Sequence, residues 1–174
     1  MGSSDDEALW VLRAQCGDRE ALEHVLRSVQ PSLRRYLAGL VGASDAEDVL
    51  QDVLVVVFRK LRWLERPELF RPWVFRIGNR AGLRHLKRMK RRLEEPHDEA
   101  LLESVPSAAA LPDGAVPPFR LEGVSPASRA VLMLHFQEEM KLTEIAAILE
   151  IPLGTVKSRL AYGLAAIRNR LGTR

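Results

Sequence analysis

The stretch "LTEIAAILEIPLGTVKSRL", residues 142–160, has helical apolar spacing on both sides of a short interruption at Pro152 and Gly154. In the first run, Ile145 and Ile148 fall on one face, and apolar positions at this spacing predict an amphipathic helix. A helix, a turn of about four residues and a second helix form a candidate helix-turn-helix. The stretch therefore predicts helical packing in this part of the chain.

The second helix of this motif predicts a polar surface at its N-terminal end. Val156 and Leu160 return to the core, which leaves four polar side chains outward: Thr155, Lys157, Ser158 and Arg159. Side chains at this end of a recognition helix reach base edges in the major groove, and backbone N–H groups there can meet a phosphate. An ordinary corner between two structural helices is the alternative, and the basic surroundings favour DNA binding over it.

The composition is typical of a globular protein in a reducing compartment. Apolar residues make up 47% of the 174 residues, which excludes wholesale disorder. The longest apolar run, residues 53–58, is far shorter than the roughly 20 residues that span a bilayer. The N-terminus lacks the layout of a signal peptide. Cys16 is the one cysteine, so no internal disulfide can form, and we expect a cytoplasmic protein.

Charge and proline content divide the chain into three parts. Residues 1–92 carry 18 Lys and Arg against 12 Asp and Glu, residues 93–124 carry one against seven, and residues 125–174 carry seven against four. The middle part also holds five of the ten prolines. Because dense proline disfavours packed helix, we predict two domains, 1–92 and 125–174, joined by a flexible acidic linker at 93–124. A tolerated surface loop is the alternative.

The first domain contains four segments with helical spacing and none with the alternation of a strand. We predict helices in "DEALWVLRAQ", in "DREALEHVLRSVQPSLRRYLAGLV" with a break at Pro31, in "SDAEDVLQDVLVVVFRKL" and in "PWVFRIGNRAGLRHLKRMKRR". Ser44 and Glu47 have the spacing of a capping box at the start of the third helix. The predicted fold class is therefore all-α, in two small helical domains.

The third of these helices carries an acidic face. Asp45, Asp48 and Asp52 recur at helical spacing with Gln51 beside them, while valines occupy the opposite side. Carboxylates can bind a metal ion, but one helix with no second ligand cluster makes a poor cage. The face predicts docking of a basic protein partner, with a merely solvated surface as the alternative.

The fourth helix combines aromatic and basic residues. Six of the nine residues from Arg84 to Arg92 are Lys or Arg, and Phe70, Trp73 and Phe75 lie just upstream. Charges that follow phosphates and rings that stack on bases suit single-stranded DNA. Burial of the aromatic rings in the core, with a solvated basic helix end, is the alternative.

Signatures of catalysis are missing from the sequence. The histidines are scattered, Cys16 has no evident base, and no phosphate-binding glycine loop or zinc-protease motif occurs. We therefore predict that the protein is not an enzyme and that it needs no cofactor and no metal.

Together, these segments resemble the extracytoplasmic-function (ECF) sigma factors of bacterial RNA polymerase, group 4 of the sigma-70 family. "GDREAL", "DAEDVLQDV", "FRPWVFRI" and "RHLKR" are similar to the first conserved domain, sigma region 2. "SRAVLMLHF", "LTEIAAILEIPLGTVKSRL" and "AIRNRL" are similar to the second, region 4. The resemblance covers nearly the whole chain except the linker. It implies an alternative sigma factor that binds core RNA polymerase and directs promoter-specific initiation of transcription.

The resemblance also implies a role for each surface. The third helix would dock on the clamp of core polymerase through Asp45, Glu47, Asp48, Gln51 and Asp52. The loop 64–69 and the fourth helix would melt the minus-10 element and hold a flipped base, through Arg66, Phe70, Trp73, Arg76, Asn79, Arg80, Arg84, Lys87 and Arg88. The helix-turn-helix would read the minus-35 element as duplex, through Thr155, Lys157, Ser158, Arg159 and Tyr162.

The partners implied by the resemblance are core polymerase, promoter DNA and an anti-sigma factor, often membrane-bound, that masks both domains. The chain itself would not enter a membrane, and its linker would thread the RNA path of the polymerase. Three features depart from the family pattern: Arg80 stands where Asn is usual, Arg84 where Asp or Asn is common, and "AYGL" at 161–164 where basic residues recur. The arginines add positive charge near the melting surface, and "AYGL" predicts weaker phosphate contacts.

Two other functions are compatible with parts of the sequence. A stand-alone transcription regulator would use the helix-turn-helix and leave the acidic and the aromatic-basic helices unused. A degenerate sigma-like protein that acts only as a protein-binding module would explain Arg80 and the missing basic residues near the end. Binding to core polymerase and run-off transcription distinguish a sigma factor from both.

Overall fold

The structure, a computed structural model, describes residues 3–94, 121 and 123–171. In these residues the chain forms seven α-helices and no strand: α1 Ser3–Gln15, α2 Arg19–Val41, α3 Ala43–Lys60, α4 Phe70–Glu94, α5 Pro126–Phe136, α6 Leu142–Leu149 and α7 Leu153–Leu171. Two single 3-10 turns, Leu61–Trp63 and Pro67–Leu69, connect α3 to α4. The prediction of an all-α chain is confirmed.

Helix α2 lies at the centre of the first four helices. It packs against α1, α3 and α4 through a buried apolar side. Two glycines of α4 face it at close range: a Cβ at Gly78 would lie 2.8 Å from Leu33, and a Cβ at Gly82 would lie 2.6 Å from Leu40. Glycine at these two positions therefore lets α4 pack closely against α2.

Pro31 does not break the second helix, contrary to the prediction. α2 is continuous from Arg19 to Val41 with Pro31 inside it. A proline in a helix interior removes a hydrogen bond and crowds the preceding turn, at a cost of about 3 kcal/mol. Pro31 is exposed, whereas Val29 and Leu33 are fully buried on the core side. Burying one such side chain contributes about 1.5–3 kcal/mol, so the apolar side of α2 offsets the local cost.

The capping box predicted at the start of α3 is wrong. Gly42 precedes the helix with φ 98° and ψ 158°, and no side chain caps the helix, which begins at Ala43. Ser44 therefore lies inside the first turn, and Glu47 forms an ion pair with Arg34 of α2 at 3.1 Å instead. Because a positive φ is readily adopted only by glycine, Gly42 sets the start of the helix before Ser44.

The remaining helices contain the predicted helix-turn-helix. Ser125 accepts a hydrogen bond from the backbone N–H of Ser128, and Pro126 is the first residue of α5. Glu150 ends α6 in the left-handed conformation, with φ 56° and ψ 45°. The chain then turns, and α7 begins at Leu153.

Gly163 lets α5 approach α7 closely. The residue is buried, and a Cβ there would lie 2.7 Å from Cδ1 of Leu132. Glycine costs a helix about 0.5–1 kcal/mol relative to alanine. At Gly163 this cost allows α5 and α7 to cross closely, and a larger residue would push the two helices apart.

The two sets of helices pack against each other, α5 against α2 and α6 against α4. The Arg129 guanidinium donates to the backbone carbonyl of Gly39 at 3.0 Å. The Glu138 carboxylate is 4% exposed and lies 3.7 Å from Arg35 and 3.8 Å from Arg71. Apolar side chains from both sets belong to one continuous core. The helix-turn-helix is therefore held against the first four helices.

The predicted linker falls mostly outside the described residues. α4 extends to Glu94, two residues into the predicted linker, and the next described residue is Leu121. The flexible linker and the domain boundaries at 92 and 125 stay predictions.

The hydrogen bond between Tyr36 and Asn79 provides a test of the packing of α4 on α2. The Tyr36 hydroxyl donates to Oδ1 of Asn79 at 2.9 Å, and burial raises the pKa of Tyr36, so it remains a donor. Because Tyr36→Phe leaves a buried carbonyl oxygen unpaired, we expect the free energy of unfolding to fall by about 1–3 kcal/mol. Urea denaturation followed by circular dichroism measures this change.

The matched control is Tyr162→Phe, at a tyrosine that is 72% exposed. Its effect on the free energy of unfolding should stay within about 0.5 kcal/mol. Equal effects of the two substitutions would contradict the buried hydrogen bond.

Candidate functional site

The acidic face of α3 combines exposed side chains with side chains that bind other helices. Four of the five predicted docking residues are exposed: Glu47, Asp48, Gln51 and Asp52. Of these, Glu47 is paired with Arg34. Asp45 is half-buried, and its Oδ2 lies 2.7 Å from Nε2 of His85 in α4. The exposed acidic surface is therefore centred on Asp48 and Asp52.

Asp45 is held by a chain of hydrogen bonds from α4. Arg88 donates to Nδ1 of His85 at 3.2 Å, which leaves Nε2–H of His85 to donate to Asp45. The hydrogen bond from His85, with a second one from Ser44 and the electrostatic attraction of His85, holds the pKa of Asp45 below its ordinary value. Asp45 therefore stays ionised at neutral pH and links α3 to α4.

A groove of about 530 Å³ separates the acidic helix from the basic helix. Asp52 lies on its α3 side, and Arg84 and Arg88 lie on its α4 side, with Val49 and Val53 among its apolar lining. Two surfaces of opposite charge therefore lie side by side on the first four helices.

Two residues predicted to contact DNA are buried in the core. Phe70 is 0% exposed and Asn79 is 4% exposed, with its amide oxygen bound to Tyr36. Phe75 is also fully buried, as the alternative interpretation of the aromatic residues had it. The prediction for Phe70 and Asn79 is corrected, because neither presents its side chain to solvent. Since Asn79 points inward, Arg80 occupies the adjoining surface position.

The other residues of the downstream set lie at or near the surface. Five basic side chains are exposed: Arg66, Arg80, Arg84, Lys87 and Arg88. Trp73 and Arg76 are half-buried. Arg66 pairs with Glu68 of the loop, Nε to Oε1 distance 2.8 Å. The result is a strip of positive charge along α4 that begins next to a half-buried indole.

Arg80 is bound by the turn of the helix-turn-helix. Its Nε and Nη2 atoms donate to the two carboxylate oxygens of Glu150, at 3.1 and 2.5 Å. The hydrogen bond and the attraction of Glu150 raise the pKa of Arg80, and the same pair lowers the pKa of Glu150. The left-handed conformation of Glu150 aims this carboxylate at α4. Arg80, which was predicted to contact DNA, is therefore paired with a residue of the helix-turn-helix.

The N-terminal end of α7 presents the predicted reading surface to solvent. Lys157, Ser158 and Tyr162 are exposed, and Thr155 and Arg159 are half-buried. Among the residues that the structure describes, no atom lies within 4 Å of a Cβ built at Gly154, so the space at this position of the first turn is open. The Ser158 hydroxyl donates to the carbonyl of Thr155 at 3.0 Å. This end of α7 is therefore open to a partner.

Three residues in contacts between elements were not selected from the sequence. His85 is one of four histidines scattered along the sequence, and no local pattern distinguishes Glu138 and Glu150 from the other acidic residues. Their partners lie 40 or more positions away along the chain, so local spacing carries no signal for them. For Glu150, its position just before Pro152 in a turn was the available signal.

None of the helices in residues 3–94 and 123–171 has both the length and the apolar character of a membrane span. The same part of the chain contains no group of three or more His, Cys, Asp or Glu residues arranged to hold a metal ion.

Comparison with known families matches both halves of the chain. Residues 25–92 match the family Sigma-70 region 2, and residues 120–169 match the family Sigma-70, region 4. The two matches follow the order of the helices described above: α2 to α4 in the first and α5 to α7 in the second. The chain belongs to the ECF sigma factors of the sigma-70 family.

Individual ECF sigma factors are similar over nearly their whole length. The ECF RNA polymerase sigma-E factor of Escherichia coli K12 is 26% identical over 185 residues, which covers 98% of this chain and 97% of that protein. The ECF RNA polymerase sigma factor SigW of Bacillus subtilis 168 is 22% identical over 170 residues, covering 89% and 91%. The chain therefore functions as an alternative sigma factor that directs promoter-specific transcription.

Solved structures share the fold. The sigma factor RpoE of Bartonella quintana, solved in complex with the anti-sigma factor NepR, superimposes with a TM-score of 0.72 at 23% identity, over 87% of this chain and 96% of that one. CnrH, solved with the cytosolic domain of CnrY, gives a TM-score of 0.64 at 20% identity, over 95% and 97%.

The link between His85 and Asp45 predicts a pH effect. His85→Phe removes the main hydrogen bond to the carboxylate, so the pKa of Asp45 should rise toward its ordinary value. Because the pKa of Asp45 is lower in the folded state than in the unfolded state, its ionised carboxylate stabilises the fold at pH values above the unfolded-state pKa. This contribution is lost as the pH falls below about 4. NMR titration of the Asp45 carboxyl carbon measures the shift.

Asp18 is the control. The backbone N–H of Ala21 and the side chain of Arg13 lower its pKa, and His85 does not contribute. The pKa of Asp18 should not change in His85→Phe. An unchanged pKa of Asp45 would remove the proposed link.

Proposed function

We propose that the exposed part of the acidic face of α3 binds core RNA polymerase. The proposal is supported by the exposure of Asp48, Gln51 and Asp52 on one side of a helix whose other side is buried. Asp45 and Glu47 flank this surface and also bind His85 and Arg34, which fixes the orientation of the helix. A rigid, acidic helix surface suits a basic protein partner.

The basic strip of α4 binds promoter DNA as its strands separate at the minus-10 element. Arg84, Lys87 and Arg88 are exposed and can follow phosphates, and Trp73 offers a ring near the start of the helix. Arg80 joins this surface when Glu150 releases it. Arg66 and Arg76 lie on the same part of the chain and complete the basic strip. Phe70 and Asn79 support it from the core.

The N-terminal end of α7 reads the minus-35 element as duplex. Thr155, Lys157, Ser158 and Arg159 project from the first turns of a helix that follows a tight corner, and Tyr162 adds an exposed ring. Major-groove readers use side chains at this end of the second helix. Open space around Gly154 supports a close approach of the phosphate backbone.

One observation supports the proposal most strongly: an acidic surface and a basic surface lie side by side on the first four helices, and the helix-turn-helix provides a third exposed surface. A stand-alone regulator needs only the helix-turn-helix. A protein-binding module needs no basic strip. The combination suits a protein that holds polymerase and DNA together by binding alone, with no catalysis of its own, in the cytoplasm where transcription occurs.

The two sets of helices separate when the protein works at a promoter. The minus-10 and minus-35 elements are about 25 base pairs apart, or about 85 Å along B-form DNA. A compact chain of this length has a radius of gyration of about 16 Å, so packed sets cannot contact both elements. Separation would release Arg80 from Glu150 and expose the buried carboxylate of Glu138.

An anti-sigma factor that stabilises the packed arrangement is a second proposed partner. RpoE of Bartonella quintana, whose fold this chain shares, was solved with the anti-sigma factor NepR. A partner that holds the two sets of helices together keeps Arg80 of α4 paired with Glu150. Such a partner would therefore block both DNA surfaces without covering every residue of them.

Run-off transcription with purified core polymerase tests the proposed function. The chain should direct initiation from candidate promoters that core polymerase alone does not use. Absence of both holoenzyme formation and specific transcripts would contradict it.

Asp48→Arg tests the docking surface. The substitution places a cation at the centre of the exposed acidic patch, so we expect core binding in a pull-down or fluorescence anisotropy assay to be lost while the circular dichroism spectrum is kept. Glu23→Arg, at an exposed acid of α2, makes the same change of charge elsewhere and should leave the affinity unchanged. Equal affinities of the two variants would remove the docking surface.

Lys157→Ala tests the upstream surface. If Lys157 contacts phosphate, binding of minus-35 duplex should weaken across all sequences, and the salt dependence should fall by about one ion. If it contacts a base, sequence preference should relax at one position. Arg168→Ala removes an exposed charge in the last turn of the same helix. It should change neither the affinity and salt dependence of duplex binding nor the sequence preference. No effect of Lys157→Ala on affinity or preference would contradict the reading surface.

A further inference from the structure

Helix α1 belongs to none of the three proposed surfaces, but it lies against one of them. It packs against α2 and against both 3-10 turns of the connection between α3 and α4, residues 61–69. One of these turns begins the connection and the other ends it. α1 therefore contacts the connection at both of its ends.

The last residue of α1, Gln15, binds the start of the connection. Its side chain is half-buried, and Nε2 donates to the backbone carbonyl of Leu61 at 2.9 Å and to that of Leu64 at 2.8 Å. The carbonyl of Leu61 also accepts from the backbone N–H of Leu64 at 3.0 Å, which closes the first turn. A side-chain amide carries two N–H donors, so Gln15 can hold both carbonyls at once. Gln15 therefore fixes the path of the chain as it leaves the first turn.

A second residue of α1 binds the other end of the connection. The Glu7 carboxylate accepts from Nε of Arg71 at 3.1 Å, and Arg71 is the second residue of α4. Glu7 and Gln15 are eight positions apart, or about 12 Å along a helix axis. Two polar contacts from one rigid helix therefore bracket the connection.

The middle of the connection has its side chains on the surface. Trp63 is 62% exposed, and Glu65 and Arg66 are also exposed. A 3-10 turn has poorer hydrogen-bond geometry than an α-helix, so two such turns hold their shape less well without bonds from outside. Loops that carry function are commonly positioned by a rigid scaffold. Here α1 holds the backbone from behind, while the side chains face solvent.

The contacts of α1 with the connection do not depend on the second set of helices. Gln15 and its two acceptors belong to the first four helices and their connection. Arg71 also lies 3.8 Å from Glu138 of the second set, a contact that ends if the two sets separate. Glu7 remains beside Arg71 in that case, because both belong to the first four helices. α1 can therefore hold the connection in the separated form that binds a promoter.

We propose that Gln15 is a positioning residue for promoter opening. It acts through the backbone of the connection, which it holds in one conformation, and both of its N–H donors are used inside the protein. If only a fraction of the molecules has the connection in that conformation, the apparent affinity for the unpaired strand falls by the same fraction. This inference rests on the proposed function of this part of the chain in opening the minus-10 element.

Gln15→Met tests the proposal, because methionine keeps the length and the lack of charge of glutamine but has no N–H donor. Reconstituted holoenzyme is titrated with two DNA probes. One has the non-template strand unpaired across the minus-10 element, and the other is duplex that contains only the minus-35 element. The affinity for the unpaired probe should fall about fivefold, which corresponds to one net hydrogen bond. The affinity for the duplex probe should stay within about twofold of the wild-type value.

Hydrogen exchange of the full chain measures the positioning without DNA. In Gln15→Met, the backbone amides of residues 61–69 should exchange faster than in the wild type, and those of α3 should not change. Gln30→Met is the matched control, because it exchanges the same two residue types at a half-buried position of α2 and leaves both donors of Gln15 in place. It should change neither the exchange of residues 61–69 nor the affinity for the unpaired probe.

A purely structural role of Gln15 gives a different result. Gln15→Met would then lower the unfolding temperature, while folded holoenzyme would bind the unpaired probe with wild-type affinity, and this result would overturn the proposal. Equal losses of affinity for the two probes would also overturn it, because the connection is not part of the minus-35 surface. A wild-type holoenzyme that does not bind the unpaired probe would instead contradict the proposed function itself.

Discussion

The buried apolar side of α2 sets the positions of the helices around it. Its apolar residues pack against α1, α3 and α4, and α5 of the second set packs against the same helix. Because that packing needs a continuous helix, Pro31 is accommodated rather than used as a break. The same packing determines which side chains of α3 and α4 remain for partners. One helix therefore sets both the internal order of the first four helices and the attachment of the other three.

This arrangement gives α4 two sides with separate tasks. Its inner side carries Phe70, Phe75 and Asn79, and the amide of Asn79 fixes its register against α2 through Tyr36. Its outer side carries the basic strip, and His85 at the edge binds the acidic helix α3. The proposed polymerase and DNA surfaces are thus connected through a few hydrogen bonds.

The sequence predicts the parts of the fold that depend on local spacing. The all-α class, the helix-turn-helix and the outward position of Lys157 follow from helical periodicity and turn chemistry. The capping box predicted at Ser44 was wrong because the helix begins earlier, directly after Gly42. The positive φ of Gly42 depends on how the chain passes from α2 to α3, which local sequence spacing does not show. Contacts such as Arg80 with Glu150, which are 70 positions apart, leave no local pattern. Asn79 was misassigned because periodicity in a helix with many arginines does not show which polar residue points inward.

We propose that the packed arrangement is the free form of the protein and that the two sets of helices separate on a promoter. Single-molecule FRET between dyes on Glu23→Cys of α2 and Arg168→Cys of α7, in a Cys16→Ser background, measures this directly, because Cys16 is the one cysteine of the chain. Free protein should give high transfer efficiency, and holoenzyme on promoter DNA should give low efficiency, since the two elements lie about 85 Å apart. The same high efficiency in both states would contradict the separation of the two sets of helices.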